Sequence, residues 1–442
     1  MESTKQHKKI GPFLATMVVT GSMIGSGVFL LPASLGAIGS ISIVGWVIAA
    51  IAAALIGAVF ALLAIANPGA GGLFSYIRDA LGPCAGFVAG VLYWASCLVA
   101  SVAIALAIAG YLSVFVPAVA KPPRLTMATI AIVWLFVGAN FLGPRFIARI
   151  QSWTIFLGLV PVLLVAIGGW FFFHGSTFDA SWNVSGETDL AILPRATVIA
   201  FWAFVGLESA IILAVRVQNP LRDVPVGTLG GIAFATIVYI AASAAIMGML
   251  PAAELTKSAA PFADAIVPVL GAFFAGAVAL FAMLKASGTL AASLLLTVET
   301  ADCESVLGRV RKSSSAQPAH RASFANLMFT GILTSVLVVI SASPTLARQF
   351  TIVTNASVVL SVMVYVASAI ALLRLGSALP ARLRLLSRVV ACVCMLFCIA
   401  LIAASEMASL VGSALVIVLA LAVYSGIHFR ALHRARLLAA GA

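Results

Sequence analysis

GSMIGSGVF, residues 21–29, places three glycines and two serines inside what is otherwise an apolar first helix, between TMVVT (16–20) and LLPA (30–33). Glycine costs about 1 kcal/mol relative to alanine in a helix interior. A backbone freed from helix at membrane depth is tolerated only where it is buried in protein or lines a cavity. The stretch is therefore either a close-packing patch for a neighbouring helix or a true break. Which of the two holds decides the fold.

The surrounding chain reads as membrane throughout. Of its 442 residues, 63% are hydrophobic and 9% are charged. A bilayer core needs roughly 20 apolar residues per helix, and twelve such spans are expected. They fall near 12–36, 41–66, 84–112, 126–143, 150–173, 190–215, 224–250, 268–300, 324–341, 350–373, 387–404 and 408–429. With the N-terminus inside, 19 of the 25 Lys and Arg residues fall in cytoplasmic segments and 5 outside, with Lys285 left within a span. The positive-inside rule favours that orientation, with both termini cytoplasmic. MESTKQHKK leads straight into the first span with no small-residue cleavage site, so no removable signal is expected. The net charge of +12 reads as this topology signal, with some attraction to anionic lipid headgroups. No clustered basic domain suggests nucleic acid as a partner.

A second interruption supports the break. FWAFVGLESA, residues 201–210, carries Gly206 and a carboxylate, Glu208, inside the sixth span. The first and sixth spans open two five-helix halves, 12–173 and 190–373, flanked by an N-terminal segment, 1–11, and by two further helices and the C-terminus, 374–442. Interrupted segments at matching places in two halves mark the site of an inverted-repeat transporter. An unwound turn presents backbone N–H groups at the positive end of the following half-helix, where an anion is welcome. Ser22, Gly25, Ser26 and Gly27 are then placed to hold a carboxylate, and the carbonyls of the sixth-span break to hold an ammonium. An α-amino acid needs both.

Three further residues stand out. An acid costs about 2.5 kcal/mol or more at a helix centre, so Glu208 is the strongest single candidate. Lys285, in FAMLKASGTL (281–290), is open to four readings: an ion pair with a carboxylate such as Glu208, snorkelling into a wet vestibule, a proton carrier, or a counter-charge for substrate. Trp202 is either an interfacial anchor or, four residues before Gly206, a gate. No cofactor is expected. CVCMLFC (392–398) lacks the polar second shell of a metal site, and no phosphate-binding glycine loop is present.

Taken together, GSMIGSGVFLLPA (21–33), GGLFSYIRDALGP (71–83), VLYWASC (91–97), FWAFVGLESA and QNPLRDVP (218–225) resemble the amino acid–polyamine–organocation superfamily. SWNVSG (181–186), AIMGMLP (245–251) and SASPTLARQF (341–350) extend the likeness over nearly the whole chain. Within the superfamily the chain is similar to bacterial basic amino acid/polyamine antiporters, with arginine/agmatine exchange the nearest type. The resemblance implies an all-α fold in the bacterial inner membrane, with a 5+5 inverted-repeat core, broken helices 1 and 6, and two extra helices that mediate dimerisation. It implies alternating access and exchange of an amino acid for its decarboxylation product.

Carried over by position, Ser22, Ile24, Gly25, Ser26 and Gly27 would meet substrate, with Ser26 and Gly27 on its carboxylate. Trp202 would be the outer lid, and Glu208 the residue that responds to pH. Tyr93, Cys97, Ser101, Val205, Gly206 and Ser357 would line the pocket, and Tyr365 would stand near the inner gate. The chain also departs from the pattern. Ser22 and Ser101 stand for asparagines and Ile104 for a methionine. The guanidinium-stacking tryptophan of the eighth span is absent, with Ser293 or Leu294 nearest its place. A cation–π contact of about 0.5–2 kcal/mol is thereby lost, which argues against arginine selectivity.

Other readings are a proton-coupled permease or exporter for neutral or acidic amino acids, with Lys285 or Glu208 carrying the proton, and a non-transporting membrane receptor or scaffold. A channel would need charged filter rings, and an embedded enzyme would need a nucleophile–base or metal constellation. The sequence offers neither.

Overall fold

The computed structural model describes residues 11–25, 27–68, 72–209, 217, 219–301 and 324–440. Ser26 and the basic loop RKSSSAQPAHR (311–321) lie outside the described residues. Among those described, the chain is helical. Among the described residues, eight helices are long and apolar enough to cross a membrane, or nine if the bent pair Pro12–Met23 and Gly27–Gly36 is one span. Two shorter apolar helices, Arg124–Asn140 and Phe324–Ile340, stand at the fourth and ninth expected positions. The helix Asp189–Phe201 begins the sixth.

The two halves pack in matching ways. Pro12–Met23 of the first span lies along the seventh, Pro220–Met249, and the sixth lies along the second, Ser42–Ala66. The third span, Pro83–Leu112, packs on the tenth, Leu346–Leu375, and the eighth packs on the fifth, Pro144–Leu163. Third and eighth meet each other at the centre. Small residues permit these approaches: a Cβ on Gly227 or Gly231 of the seventh span would come within 3 Å of Ala15 or Val19 in the first. Without a hydrophobic drive between helices in lipid, such close packing holds a membrane bundle together.

Three details differ from the expected layout. The connection at 71–83 contains a helix, Leu73–Leu81, that packs on the third and tenth spans. The eighth-span helix runs Pro261–Ala301 but is kinked at Gly271, where φ is +82°; the part before Gly271 is a separate arm reaching Tyr111, whose phenol accepts from the Phe262 amide. The fifth span ends in a π-turn, Leu164–Gly168, followed by a 3-10 turn, Gly169–Phe172. The eleventh and twelfth helices, Ala381–Ala403 and Met407–Ala440, bury little of their apolar surface within the chain.

Candidate functional site

The first break is a specific turn. The helix that begins at Pro12 stops at Met23, and the Gly25 amide donates to the Met23 carbonyl at 2.6 Å. Ile24 between them has φ −69° and ψ 74°, which is an inverse γ-turn. Helix resumes at Gly27 with the axis bent by 50°. The last carbonyls before the turn and the first amides after it are thereby released from helical pairing.

The second break is built differently. Helix gives way after Phe201 to a 3-10 turn, Trp202–Phe204. Val205 is extended (φ −63°, ψ 131°), Gly206 has φ +110°, and the Leu207 amide donates to the Phe204 carbonyl at 3.2 Å. This is a type II turn, whose third position demands a positive φ and therefore glycine. Gly206 answers that need.

The breaks touch. The Ser22 hydroxyl lies 2.7 Å from the Ser209 hydroxyl, 3.4 Å from the Gly206 carbonyl and 2.7 Å from the Val19 carbonyl. On the other side, the Trp202 indole covers Gly27: a Cβ there would sit 2.6 Å from the indole Nε1. Gly27 thus serves as space for the ring. Trp202 is buried, and its N–H has no partner among the described residues. Gly25 faces the Thr289 side chain of the eighth span.

Glu208 is clamped below the second turn. The Tyr93 phenol donates to Oε1 at 3.0 Å, the Tyr365 phenol to Oε2 at 2.8 Å, and the Gly206 amide to Oε2 at 3.1 Å. One carboxylate therefore joins the third, sixth and tenth spans. Hydrogen bonds to an ionised acceptor are about twice as strong as neutral ones, and a buried site magnifies them. Tyr365 is fully buried, with Phe60 edge-on to its ring at 5.6 Å.

One turn along the third span from Tyr93, the Cys97 carbonyl accepts from Ser101 at 2.9 Å and from Ser293 at 3.4 Å, and the two serine hydroxyls are 2.9 Å apart. Of the two eighth-span residues considered for the missing tryptophan, Ser293 faces the third span, while Leu294 is fully buried in the core. Ser357 is held away from open space: its hydroxyl donates to the Ser96 carbonyl at 3.0 Å, and Ser96 also contacts Ser361 at 2.6 Å. Val205 and Gly206 are half-buried at the turn.

Lys285 does not pair with Glu208. Its ammonium donates to the Gly21 carbonyl at 3.3 Å, at the end of the first half-helix, where the dipole is negative. The residue is 2% exposed and forms no ion pair among the described residues. Its stem crosses the fifth span at Gly158, where any Cβ would overlap it.

Sequence reasoning did not single out Ser209, the Gly206 amide or the tyrosine clamp as a unit. The polar run Gly-Leu-Glu-Ser after the break was the available signal for Ser209.

Comparison with known proteins places this arrangement. The profile of the amino acid permease family matches residues 10–427. The cadaverine/lysine antiporter of Escherichia coli (strain K12) is 35% identical over 427 residues, covering 95% of each chain. The putrescine transporter PotE of the same strain is 30% identical over 370 residues, covering 84% of each. Its Haemophilus influenzae counterpart is 30% identical over 377 residues, covering 83% of this chain and 84% of the other. The relatives found are thus not specifically of the arginine/agmatine type. The chain is a multi-pass membrane transporter rather than an enzyme, and it belongs to the amino acid permease family.

Proposed function

We propose that the chain exchanges a basic amino acid for its diamine, with lysine and cadaverine the leading pair, by alternating access around the two breaks. The observation that carries the substrate class is the Ser101–Ser293 pair beside the Glu208 clamp. A planar guanidinium gains from an aromatic face, whereas a compact ammonium with three donors is served by hydroxyls, carbonyls and a carboxylate. Hydroxyls stand where a ring would favour arginine. The relatives named for cadaverine, lysine and putrescine agree in chemistry.

In this reading the amides freed after Ile24 take the substrate carboxylate, with Ser26 and Gly27, and the orphan indole N–H of Trp202 closes over it. Glu208 responds to protonation: a proton on either oxygen replaces an acceptor with a donor facing a tyrosine, loosening the tie among three spans. Lys285 holds the end of the first half-helix and serves in proton coupling. The matched packing of 12–173 and 190–373 supports two inverted five-helix repeats. The charge distribution supports cytoplasmic termini and an inner-membrane protein. The exposed apolar faces of the last two helices suit contact with lipid or with a second copy in a dimer.

Counterflow in proteoliposomes tests the substrate reading. Vesicles loaded with lysine, cadaverine, arginine, agmatine or alanine are offered labelled lysine. Uptake into lysine- and cadaverine-loaded vesicles well above the others supports the proposal; uptake confined to arginine and agmatine loading would replace the substrate pair.

A further inference from the structure

Each tyrosine that holds Glu208 has an aromatic ring at its back. Phe60 of the second span stands edge-on to Tyr365 at 5.6 Å. Phe74 stands 5.4 Å from the Tyr93 ring, tilted by 59°. Phe60 belongs to a membrane span, whereas Phe74 belongs to the nine-residue helix Leu73–Leu81 in the connection between the second and third spans.

That short helix is tied to the two spans that carry the tyrosines. Leu73, Tyr76 and Ile77 form its buried face, and it packs on both the third and the tenth. Near its C-terminal end the Arg374 guanidinium donates to the Ala80 carbonyl at 2.9 Å. The last carbonyls of a helix lack helical partners and carry partial negative charge, so a cation is favoured there. Arg374 stands at the end of the helix that carries Tyr365, and it forms no ion pair among the described residues. The Asn67 side-chain amide donates to Asp79 at 3.3 Å, adding a tie to the second span. At Gly86 the third span approaches so closely that a Cβ would lie 2.7 Å from the Arg78 Cβ. Gly72 and Gly82, with φ of +132° and +96°, turn the chain at the two ends of the helix.

We infer that Leu73–Leu81 is a latch across the ends of the third and tenth spans, and that Phe74 and Arg374 are positioning residues for the Glu208 clamp. Phe74 backs the Tyr93 ring where its hydroxyl reaches Glu208. Arg374 pins the latch to the helix of Tyr365. While both tyrosines hold the carboxylate, the latch keeps its seat; when the clamp opens, the Tyr93 ring moves and Phe74 loses its support. The latch thereby follows the clamp and resists separation of the two spans on that face. The coupling stands on these contacts alone, whereas its effect on transport rests on the exchange and the orientation proposed above.

Hydrogen–deuterium exchange on the purified full-length chain reads the coupling without any substrate. Backbone amides of residues 73–81 are compared with those of Arg124–Asn140, a helix that carries no clamp residue. Tyr93→Phe removes only the hydroxyl that reaches Glu208, and Glu208→Gln alters the acceptor. Each is expected to speed exchange in 73–81 about threefold or more, the factor that one hydrogen bond between membrane helices carries on average. Arg124–Asn140 should be unchanged, and either variant should add little once Phe74→Leu is present, as coupled sites do. Unchanged exchange in 73–81, equal acceleration in both helices, or full additivity with Phe74→Leu would overturn the latch.

Transport gives the second readout. KM for lysine is measured at the outer face in intact cells and at the inner face in inverted membrane vesicles. Weakening an inner latch shifts the population towards the inward-open state. Arg374→Gln is therefore expected to raise the outer KM and lower the inner KM, each about threefold, while Arg374→Lys, which keeps a cation at the helix end, stays close to the wild type. A merely structural role would lower the maximal rate and leave both KM values in place; that result, or KM values that move together, would also overturn the latch. Wild-type cells that exchange no lysine would remove the proposed function, and amide exchange then decides the latch alone.

Discussion

The hydroxyls of Ser22 and Ser209 lie 2.7 Å apart, joining the two interrupted helices at their breaks. The contact crosses 187 positions of sequence, so a tilt of either half-helix is felt at the other. Ser22→Ala should lower thermal stability only slightly, because hydrogen bonds between membrane helices average about 0.6 kcal/mol. It should slow exchange more than it destabilises. Parallel measurement of melting temperature and counterflow rate tests that difference.

Gly206 occupies the third position of a type II turn with φ +110°, and a Cβ there would stand 3.1 Å from the Ser22 carbonyl. Gly206→Ala should strain the backbone by about 1–3 kcal/mol and strongly impair counterflow in protein that still reaches the membrane. Normal exchange by that variant would show that the turn is dispensable.

Gly27 makes room for the Trp202 indole rather than for a special backbone conformation. Gly27→Ala should therefore impair exchange by displacing the ring, and Trp202→Leu added to it should recover part of the loss. Single and double variants compared by counterflow make a coupling cycle. Strict additivity would mean that the indole and Gly27 act independently.

Glu208 accepts from Tyr93, Tyr365 and the Gly206 amide. Glu208→Gln keeps the shape but presents an NH₂ to at least one donor, leaving a buried phenol O–H without its acceptor at about 1–3 kcal/mol. The variant should exchange slowly, and its rate should vary less between pH 5 and pH 8 than that of the wild type. A wild-type pH profile in Glu208→Gln would remove this carboxylate from the pH response.

Lys285→Met keeps the stem in the groove at Gly158 but removes the donor to the Gly21 carbonyl. We expect a folded protein whose exchange falls about tenfold or more, in keeping with the cost that buried ionisable groups carry in membranes. Gly158→Ala should instead lower the yield of folded protein, since a Cβ there would overlap the Lys285 stem. Monodispersity in detergent, measured beside transport, distinguishes the two effects.

Much of this arrangement was legible in the sequence because it depends on local chemistry. Glycine and serine within apolar runs announced both breaks, and Glu208 and Lys285 stood out as ionisable groups where such groups are costly. What the sequence did not reveal depends on partners far along the chain. Glu208 meets tyrosines 115 and 157 positions away, so its clamp was invisible although Tyr93 and Tyr365 had each been singled out. Of the four readings open for Lys285, the pair with Glu208 is not formed: three donors occupy the carboxylate, and the lysine donates to a half-helix end instead. Leu73–Leu81 falls between the expected second and third spans, because glycines flank a nine-residue helix too short to register as a span.

The central claim is obligatory exchange around the two breaks. Its most direct test is labelled lysine uptake into proteoliposomes that are either empty or loaded with cadaverine, with and without an imposed pH gradient. Uptake that requires internal cadaverine and stays near background in empty vesicles is the predicted result. Equal uptake into empty vesicles, driven by the pH gradient alone, would contradict the account and make the protein a proton-coupled permease.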